Sequence, residues 1–130
     1  MIILDTHIWI WWINQDKNYL KPRWKEVIQS TEKVAVSSIS LFEICWLVHH
    51  GRIEITIPLD DWLSEATVGS GIDIVTISPA IAMTATKLPY HHRDPQDRLI
   101  IASAICNHAQ LLSADQQFPL YEEITELLIN

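Results

Sequence analysis

The 130-residue sequence has little cysteine and no long hydrophobic run. Its two cysteines, Cys45 and Cys106, fall in predicted apolar helices, which favours reduced thiols in a cytoplasmic protein over a disulfide framework. No stretch reaches the roughly 18 uncharged apolar residues that a bilayer span requires. Asp5 interrupts the first apolar run and no basic segment precedes it. We therefore expect neither a signal peptide nor membrane association.

Basic residues are also scarce. Nine lysine and arginine residues stand against 16 acidic ones, which gives a formal net charge of −7. This balance argues against a protein that holds duplex nucleic acid by bulk electrostatics. A nuclease remains possible, because an active site built from acids adds negative charge that bound divalent cations reverse locally.

The apolar pattern predicts an α/β fold. With 48% hydrophobic and 19% charged residues, the chain has the composition of one compact domain covering residues 1–130. Short buried runs predict strands at 2–4, 34–36, 72–77 and 111–113. Between them, helices are predicted at 7–13, 22–30, 40–50, 59–68, 79–87 and 95–108. The tail at 121–129 fits either a strand or a helix. We expect a central parallel sheet of four or five strands with helices on both faces.

Two acids stand where predicted strands end. Asp5 follows the run at 2–4 directly, and Asp115 comes just after the run at 111–113. Ligands of parallel α/β sheets bind outside the carboxyl ends of the strands. The fold therefore places both carboxylates at the edge where a ligand would bind.

Two further acids open the predicted helix 95–108. Asp94 suits the N-cap, Pro95 the first helical position and Asp97 the third. Asp97 lies four residues before Ile101, so helical geometry puts it on a face that packs inward. A carboxylate in such a place is costly unless something positive meets it.

Each acid also has an ordinary structural explanation. Asp5 and Asp115 suit a helix cap and a turn. Glu43 completes an S-x-x-E capping box with Ser40. The two acids that open helix 95–108 complement its dipole. Together, however, acids from several segments are how proteins bind Mg²⁺ or Mn²⁺, which relieves their mutual repulsion.

Four motifs carry a family resemblance. They read Leu-Asp-Thr-His at 4–7, Ser-x-x-Glu-Ile at 40–44, His-Arg-Asp-Pro-x-Asp-Arg-Leu-x-Ile-Ala at 92–102 and Leu-Leu-Ser-Ala-Asp at 111–115. In this order they resemble the acidic motifs of PIN domains, and among these the VapC-type ribonuclease toxins of type II toxin–antitoxin systems. The resemblance implies an endoribonuclease that depends on Mg²⁺ or Mn²⁺, a homodimer, and a cognate antitoxin that blocks the acidic pocket.

The resemblance also implies roles for individual residues. By motif position, Asp5, Glu43, Asp97 and Asp115 are the four catalytic carboxylates. We expect Asp5 and Asp97 to hold the principal ion. Glu43 and Asp115 then hold a second ion or position the attacking water in the hydrolysis of single-stranded RNA.

Other residues are expected to support the site. Thr6 fits a cap for the segment that follows it, and Asp94 matches an extra acid of this branch of the family. Ser113 stands where the family often has threonine, a hydroxyl suited to orienting a ligand or water. Beside them, His92, Arg93 and Arg98 fit contacts to RNA phosphates and fit a solvated loop equally well.

Two other functions share part of this sequence pattern. A phosphoacceptor signalling domain also places acids around Mg²⁺ at strand ends. It needs an acid at the end of the third strand and a later lysine, whereas here no lysine follows Lys87. A PIN-like domain that binds RNA or a partner without cutting it is the main alternative, and magnesium-dependent cleavage separates it from the enzyme.

Overall fold

The computed structural model describes residues 1–130 as an alternation of strands and helices. The strands are β1 Ile2–Leu4, β2 Val34–Ser37, β3 Asp73–Val75, β4 Gln110–Leu112 and β5 Leu128–Ile129. The α-helices are α1 Thr6–Ile13, α2 Pro22–Ser30, α3 Ser38–His49, α4 Leu59–Ala66, α5 Pro79–Lys87 and α6 Pro95–Asn107. Short 3-10 turns cover Val68–Ser70, Phe118–Leu120 and Glu122–Ile124. No helix has the length and apolar character needed to cross a bilayer.

The five strands form one parallel sheet in the order β3-β2-β1-β4-β5. This confirms the predicted α/β fold with a parallel sheet. Strand β1 lies at the centre, with Leu4 level with Val36 on one side and Leu112 on the other. The carboxyl ends of β1, β2 and β4 therefore meet at one edge.

Helices cover both faces of the sheet because successive residues of a strand point to opposite sides. Ile2 and Leu4 belong to one buried cluster, which packs with Trp9 and Trp24 from the first two helices. Ile3 belongs to the other cluster, which includes Ile101 of α6. Strand β1 is wholly buried, and its end is consequently held rigidly where the site begins.

Some predicted boundaries are wrong. Helix α3 begins at Ser38 with Ser37 as its N-cap, earlier than predicted. Strand β3 covers only Asp73–Val75 of the run predicted at 72–77. The open question of the tail resolves into the Glu122–Ile124 turn and edge strand β5.

The interpretation of Arg98 as a phosphate-binding or solvated side chain is also wrong. Arg98 is buried with 6% of its surface exposed. Its guanidinium donates to the carbonyls of Ala85, Leu88 and Pro89, each at 2.7 Å. These carbonyls lie in and just after the last turn of α5, where backbone acceptors lack helical partners. Arg98 thus fastens the segment between α5 and α6.

This arrangement gives a stability prediction. Arg98→Ala leaves the buried carbonyls of Ala85 and Leu88 and the part-buried carbonyl of Pro89 without this donor, so we expect the free energy of unfolding to fall by about 3 kcal/mol. Urea denaturation followed by tryptophan fluorescence measures the loss. Arg93→Ala is the matched control, because Arg93 is exposed and its removal changes stability by about 0.5 kcal/mol or less. Equal effects of the two substitutions would contradict the structural role of Arg98.

Candidate active site

A cavity of about 400 Å³ lies at the carboxyl edge of the sheet. Its walls are formed by Asp5, His7, Trp11, Glu43, His92, Asp94, Asp97, Ala114 and Asp115. The structure thus brings together all four of the acids that the motifs single out. They arrive from four segments: the end of β1, the second turn of α3, the first turn of α6 and the loop after β4.

Asp5 is both a helix cap and a member of the cluster. Its Oδ1 accepts a hydrogen bond from the Thr6 backbone N–H at 2.9 Å. Its Oδ2 accepts from the Ser113 hydroxyl at 2.7 Å. The capping explanation is therefore true and leaves the carboxylate facing the cavity. Thr6 does not cap α1; its hydroxyl pairs with that of Ser40 at 2.8 Å and joins α1 to α3.

The Ser113 hydroxyl joins two of the acids. It donates to Asp5 and accepts from the Asp115 backbone N–H at 3.0 Å. Asp115 Oδ1 in turn accepts from the Gln117 N–H at 2.7 Å. Because each link uses the backbone or a buried group, Asp5 and Asp115 are held in a fixed relation.

Glu43 does not form the capping box that the sequence suggests. The cap of α3 is Ser37, whose hydroxyl accepts from the Ile39 N–H at 3.2 Å, and Ser40 pairs with Thr6 instead. Glu43 lines the cavity, and its Oε1 is buried without a hydrogen-bond partner. A buried carboxylate oxygen without a donor is costly. A cation or an ordered water in the cavity would satisfy it.

The start of α6 is built as predicted. Asp94 caps the helix by accepting from the Gln96 N–H at 2.9 Å. Asp97, in the first turn, points inward with 14% of its side chain exposed. The positive or donor group expected to meet it is His92, whose Nε2 lies 2.9 Å from Asp97 Oδ2 and 3.1 Å from Asp115 Oδ2.

The three residues expected to contact RNA phosphates therefore lie in different environments. His92 belongs to the acid cluster itself, which nothing in its local sequence signals beyond its place five residues before Asp97. Arg93 is exposed and lines a neighbouring cavity. Arg98 is buried beneath the ring of Tyr90, with 4.7 Å between the guanidinium carbon and the ring centroid.

Burial and crowding disfavour the charged form of two acids. Burial raises the pKa of Asp5 to about 6, against the lowering effect of its hydrogen bonds from Ser113 and Thr6. Burial, followed by repulsion from Asp5, Asp94, Glu43 and Asp115, raises the pKa of Asp97 to about 8. The protein alone therefore does not supply enough positive charge for this cluster.

A hard divalent cation fits the site. Every acid offers oxygen, the ligand that Mg²⁺ and Mn²⁺ prefer. No lysine or arginine lines the cavity, and the unpartnered Glu43 oxygen has no donor from the protein. A cation would offset the repulsion that raises the pKa of Asp97.

A parallel α/β sheet with four carboxylates converging at its carboxyl edge defines a class of protein with an acidic pocket suited to phosphate chemistry. The chain belongs to the PIN domain family, whose pattern matches residues 2–124.

One relative and two solved structures are similar to this chain. The chain is 34% identical over 117 residues to Ribonuclease VapC22 of Mycobacterium tuberculosis, with 89% of this chain and 88% of that protein covered. Its fold is similar to VapBC2 from Rickettsia felis bound to a promoter DNA fragment, with a TM-score of 0.71, 21% identity and coverage of 100% and 98%. A toxin–antitoxin complex from Klebsiella pneumoniae matches with a TM-score of 0.69, 17% identity and coverage of 100% and 97%.

Proposed function

We propose that this chain is a metal-dependent endoribonuclease that hydrolyses single-stranded RNA and acts as the toxin of a toxin–antitoxin pair. The observation that carries the proposal is the convergence of Asp5, Glu43, Asp97 and Asp115 on one cavity with an unpartnered buried oxygen. Family membership and a ribonuclease relative at 34% identity support the same reaction.

In this proposal the residues of the site divide the work. Asp5 and Asp97 hold Mg²⁺ or Mn²⁺, which when bound polarises the scissile phosphate and lowers the pKa of water. Ser113 holds Asp5 and Asp115 in register through its hydroxyl. Glu43 and Asp115 orient the attacking water or hold a second ion. Asp94 keeps Asp97 in place by capping α6.

Hydrolysis needs no covalent intermediate on the protein. Water forms the new bond to phosphorus as it gives up a proton to a carboxylate of the site, and the bond from phosphorus to the leaving ribose oxygen breaks as that oxygen takes up a proton from solvent. The free oxygen of Glu43 accepts a hydrogen bond from the water and aims it at the phosphorus. Arg93, exposed next to the site, contacts an RNA phosphate on the strand that enters the cavity.

The expected partners are an antitoxin and a second copy of the chain. The matched structure from Klebsiella pneumoniae is a toxin–antitoxin complex, which supports an antitoxin that covers the pocket. Phe42 and Trp46 on α3 expose 57% and 41% of their surface, and Met83 on α5 exposes 58%. Such apolar groups favour protein–protein contact. We place the RNA-cleaving form in the cytoplasm.

Cleavage of a mixed RNA pool tests the proposal. Purified protein, freed of any co-purified inhibitor, is assayed with Mg²⁺ or Mn²⁺ and with EDTA. We expect cutting only with the metal, and none by Asp97→Asn. The matched control is Asp73→Asn, because Asp73 is an exposed acid on β3 outside the cavity. A well-folded, metal-supplied protein that leaves the pool and a series of defined structured RNAs intact would favour the non-catalytic binding module.

A further inference from the structure

The ring of His92 occupies the space between two acids of the site. Its Nε2 lies 2.9 Å from Asp97 Oδ2 and 3.1 Å from Asp115 Oδ2. Together, the three side chains look like a set of metal ligands, since their ligand atoms lie within 4.8 Å of one another. Two roles are therefore open for the imidazole: a ligand of the cation or a donor to the carboxylates.

The other ring nitrogen distinguishes these roles. The Asp94 backbone N–H donates to His92 Nδ1 at 3.3 Å. An imidazole nitrogen that accepts a hydrogen bond carries a lone pair, so the ring proton lies on Nε2. A protonated nitrogen has no lone pair to offer a metal. In this tautomer Nε2–H donates to Asp115 Oδ2 with Asp97 Oδ2 beside the same nitrogen, and Nε2 is not a metal ligand.

The backbone of His92 is fixed independently of its ring. Its N–H donates to the Tyr121 hydroxyl at 2.8 Å, and Tyr121 is fully buried. Arg98 secures the same segment through the Pro89 carbonyl. The ring is consequently presented to the acids by an anchored backbone, and only rotation of the side chain can withdraw it.

The oxygen that accepts from His92 Nε2–H, Oδ2 of Asp115, is also an oxygen that a cation would use. Asp115 Oδ1 already accepts from the Gln117 N–H. Its Oδ2, which faces Nε2 of His92, is the oxygen without a backbone donor and is the freer of the two to bind a metal. The ion held by Asp97, or a second ion held by Asp115, would thus compete with the imidazole for these carboxylate oxygens.

We propose that His92 is a positioning residue that holds Asp115 through Nε2–H beside Asp97 when no cation is bound, and that it yields its place to the cation without coordinating it. The inference rests on the proposed metal-dependent function. It assigns the imidazole a role opposite to that of a ligand: the ring keeps the acids together before binding and opposes binding itself.

Mn²⁺ titration by calorimetry tests the inference by its sign. We expect His92→Ala to bind Mn²⁺ about tenfold more tightly, because about one charge-assisted hydrogen bond no longer has to be broken. His92→Gln restores a donor and should return the affinity towards that of the unsubstituted protein. His91→Ala, at the exposed neighbour, should leave the affinity unchanged. Weaker or unchanged binding by His92→Ala would overturn the inference.

Two spectroscopic measurements avoid any dependence on activity. In metal-free protein, long-range ¹H–¹⁵N spectra should show the His92 proton on Nε2 and a hydrogen-bonded Nδ1, and saturating Mg²⁺ should shift the Nε2 signal. Pulsed electron paramagnetic resonance of bound Mn²⁺ should show no imidazole nitrogen coupling. A proton on Nδ1, a directly coupled nitrogen, or ring signals insensitive to Mg²⁺ would each overturn the role.

Failure of the proposed function can be distinguished from failure of the role assigned to His92. If the protein binds no Mn²⁺ and His92→Ala and His92→Gln bind none either, the metal site itself is wrong and the role of His92 fails with it. If the protein binds Mn²⁺ and Asp5→Asn does not, the metal site stands. The affinity of His92→Ala then decides the inference alone.

Discussion

Replacing Asp5 by asparagine is expected to reduce RNA cleavage at least about a hundredfold, since losing a cation ligand removes several kcal/mol of transition-state stabilisation and each 1.4 kcal/mol is about tenfold. The fold should survive. Asparagine is as good a helix cap as aspartate, so its side-chain oxygen still accepts the Thr6 N–H that Asp5 Oδ1 accepts now. The change thus removes charge and keeps shape.

Initial cleavage rates in Mn²⁺ measure the effect, and circular dichroism and thermal melting check the fold. Asp16→Asn is a suitable control, because Asp16 also accepts backbone N–H groups, those of Asn18 and Tyr19, but lies outside the cavity. It should cut at the rate of the unsubstituted protein. Cleavage by Asp5→Asn within a few-fold of that rate would remove Asp5 from the metal site.

The second large effect concerns stability. Asp97→Asn should raise the melting temperature of the metal-free protein while it abolishes cleavage. Asp97 is buried among four other acids, which raises its pKa to about 8 from an ordinary value of 3.8. The unfolded chain has no such penalty. Asparagine fills the same space without a charge to desolvate, so the cost of this position disappears.

The raised pKa of Asp97 also predicts how the stability of the metal-free protein changes with pH. Between the unfolded pKa of 3.8 and the folded pKa of about 8, the folded protein binds more protons at Asp97 than the unfolded chain does. Stability therefore falls as pH rises through this range. Asp5, with its pKa raised to about 6, adds to the fall over the lower part of the range.

Scanning calorimetry at pH 5 and pH 8 in EDTA measures both predictions. The metal-free protein should melt at least about 3 °C lower at pH 8, where 1 kcal/mol corresponds to about 2–8 °C. Asp97→Asn should lose less, and saturating Mg²⁺ should raise the melting temperature of the unsubstituted protein at pH 8 but not that of the variant. A variant less stable than the parent at pH 8 would contradict the assigned burial cost.

The sequence predicts the sheet well because its strands are buried on both faces. The runs that include Ile2–Leu4 and Leu111–Leu112 contain no polar interruption, and each is followed within a few residues by an acid. The positions of the two acids then follow from the sheet topology, since the adjacent parallel strands β1 and β4 bring Asp5 and Asp115 to the same edge. The cap of α6 by Asp94 is also predictable, because its signal, an aspartate directly before a proline and an apolar helix, lies within a few residues.

Contacts between distant segments are what the sequence does not show. Arg98 looks like an exposed cation beside the acids, yet its partners are carbonyls 9 to 13 residues earlier whose lack of donors depends on where α5 ends. Ser40 looks like a cap, but Ser37 takes that role and Ser40 turns to Thr6, 34 residues away. The place of His92 between Asp97 and Asp115 requires the whole fold.

The acid cluster also affects which mutations inactivate the protein most readily. Because burial and crowding disfavour the charged form of Asp97, the change to asparagine is expected to lose activity and gain stability at once, and the inactive protein then has no folding defect that exposes it to degradation. A single nucleotide transition converts an aspartate codon to an asparagine codon. Cells that survive expression of this protein without its antitoxin should therefore often carry a substitution at Asp97. They should accumulate full-length, well-expressed and inactive protein rather than truncated or misfolded chains.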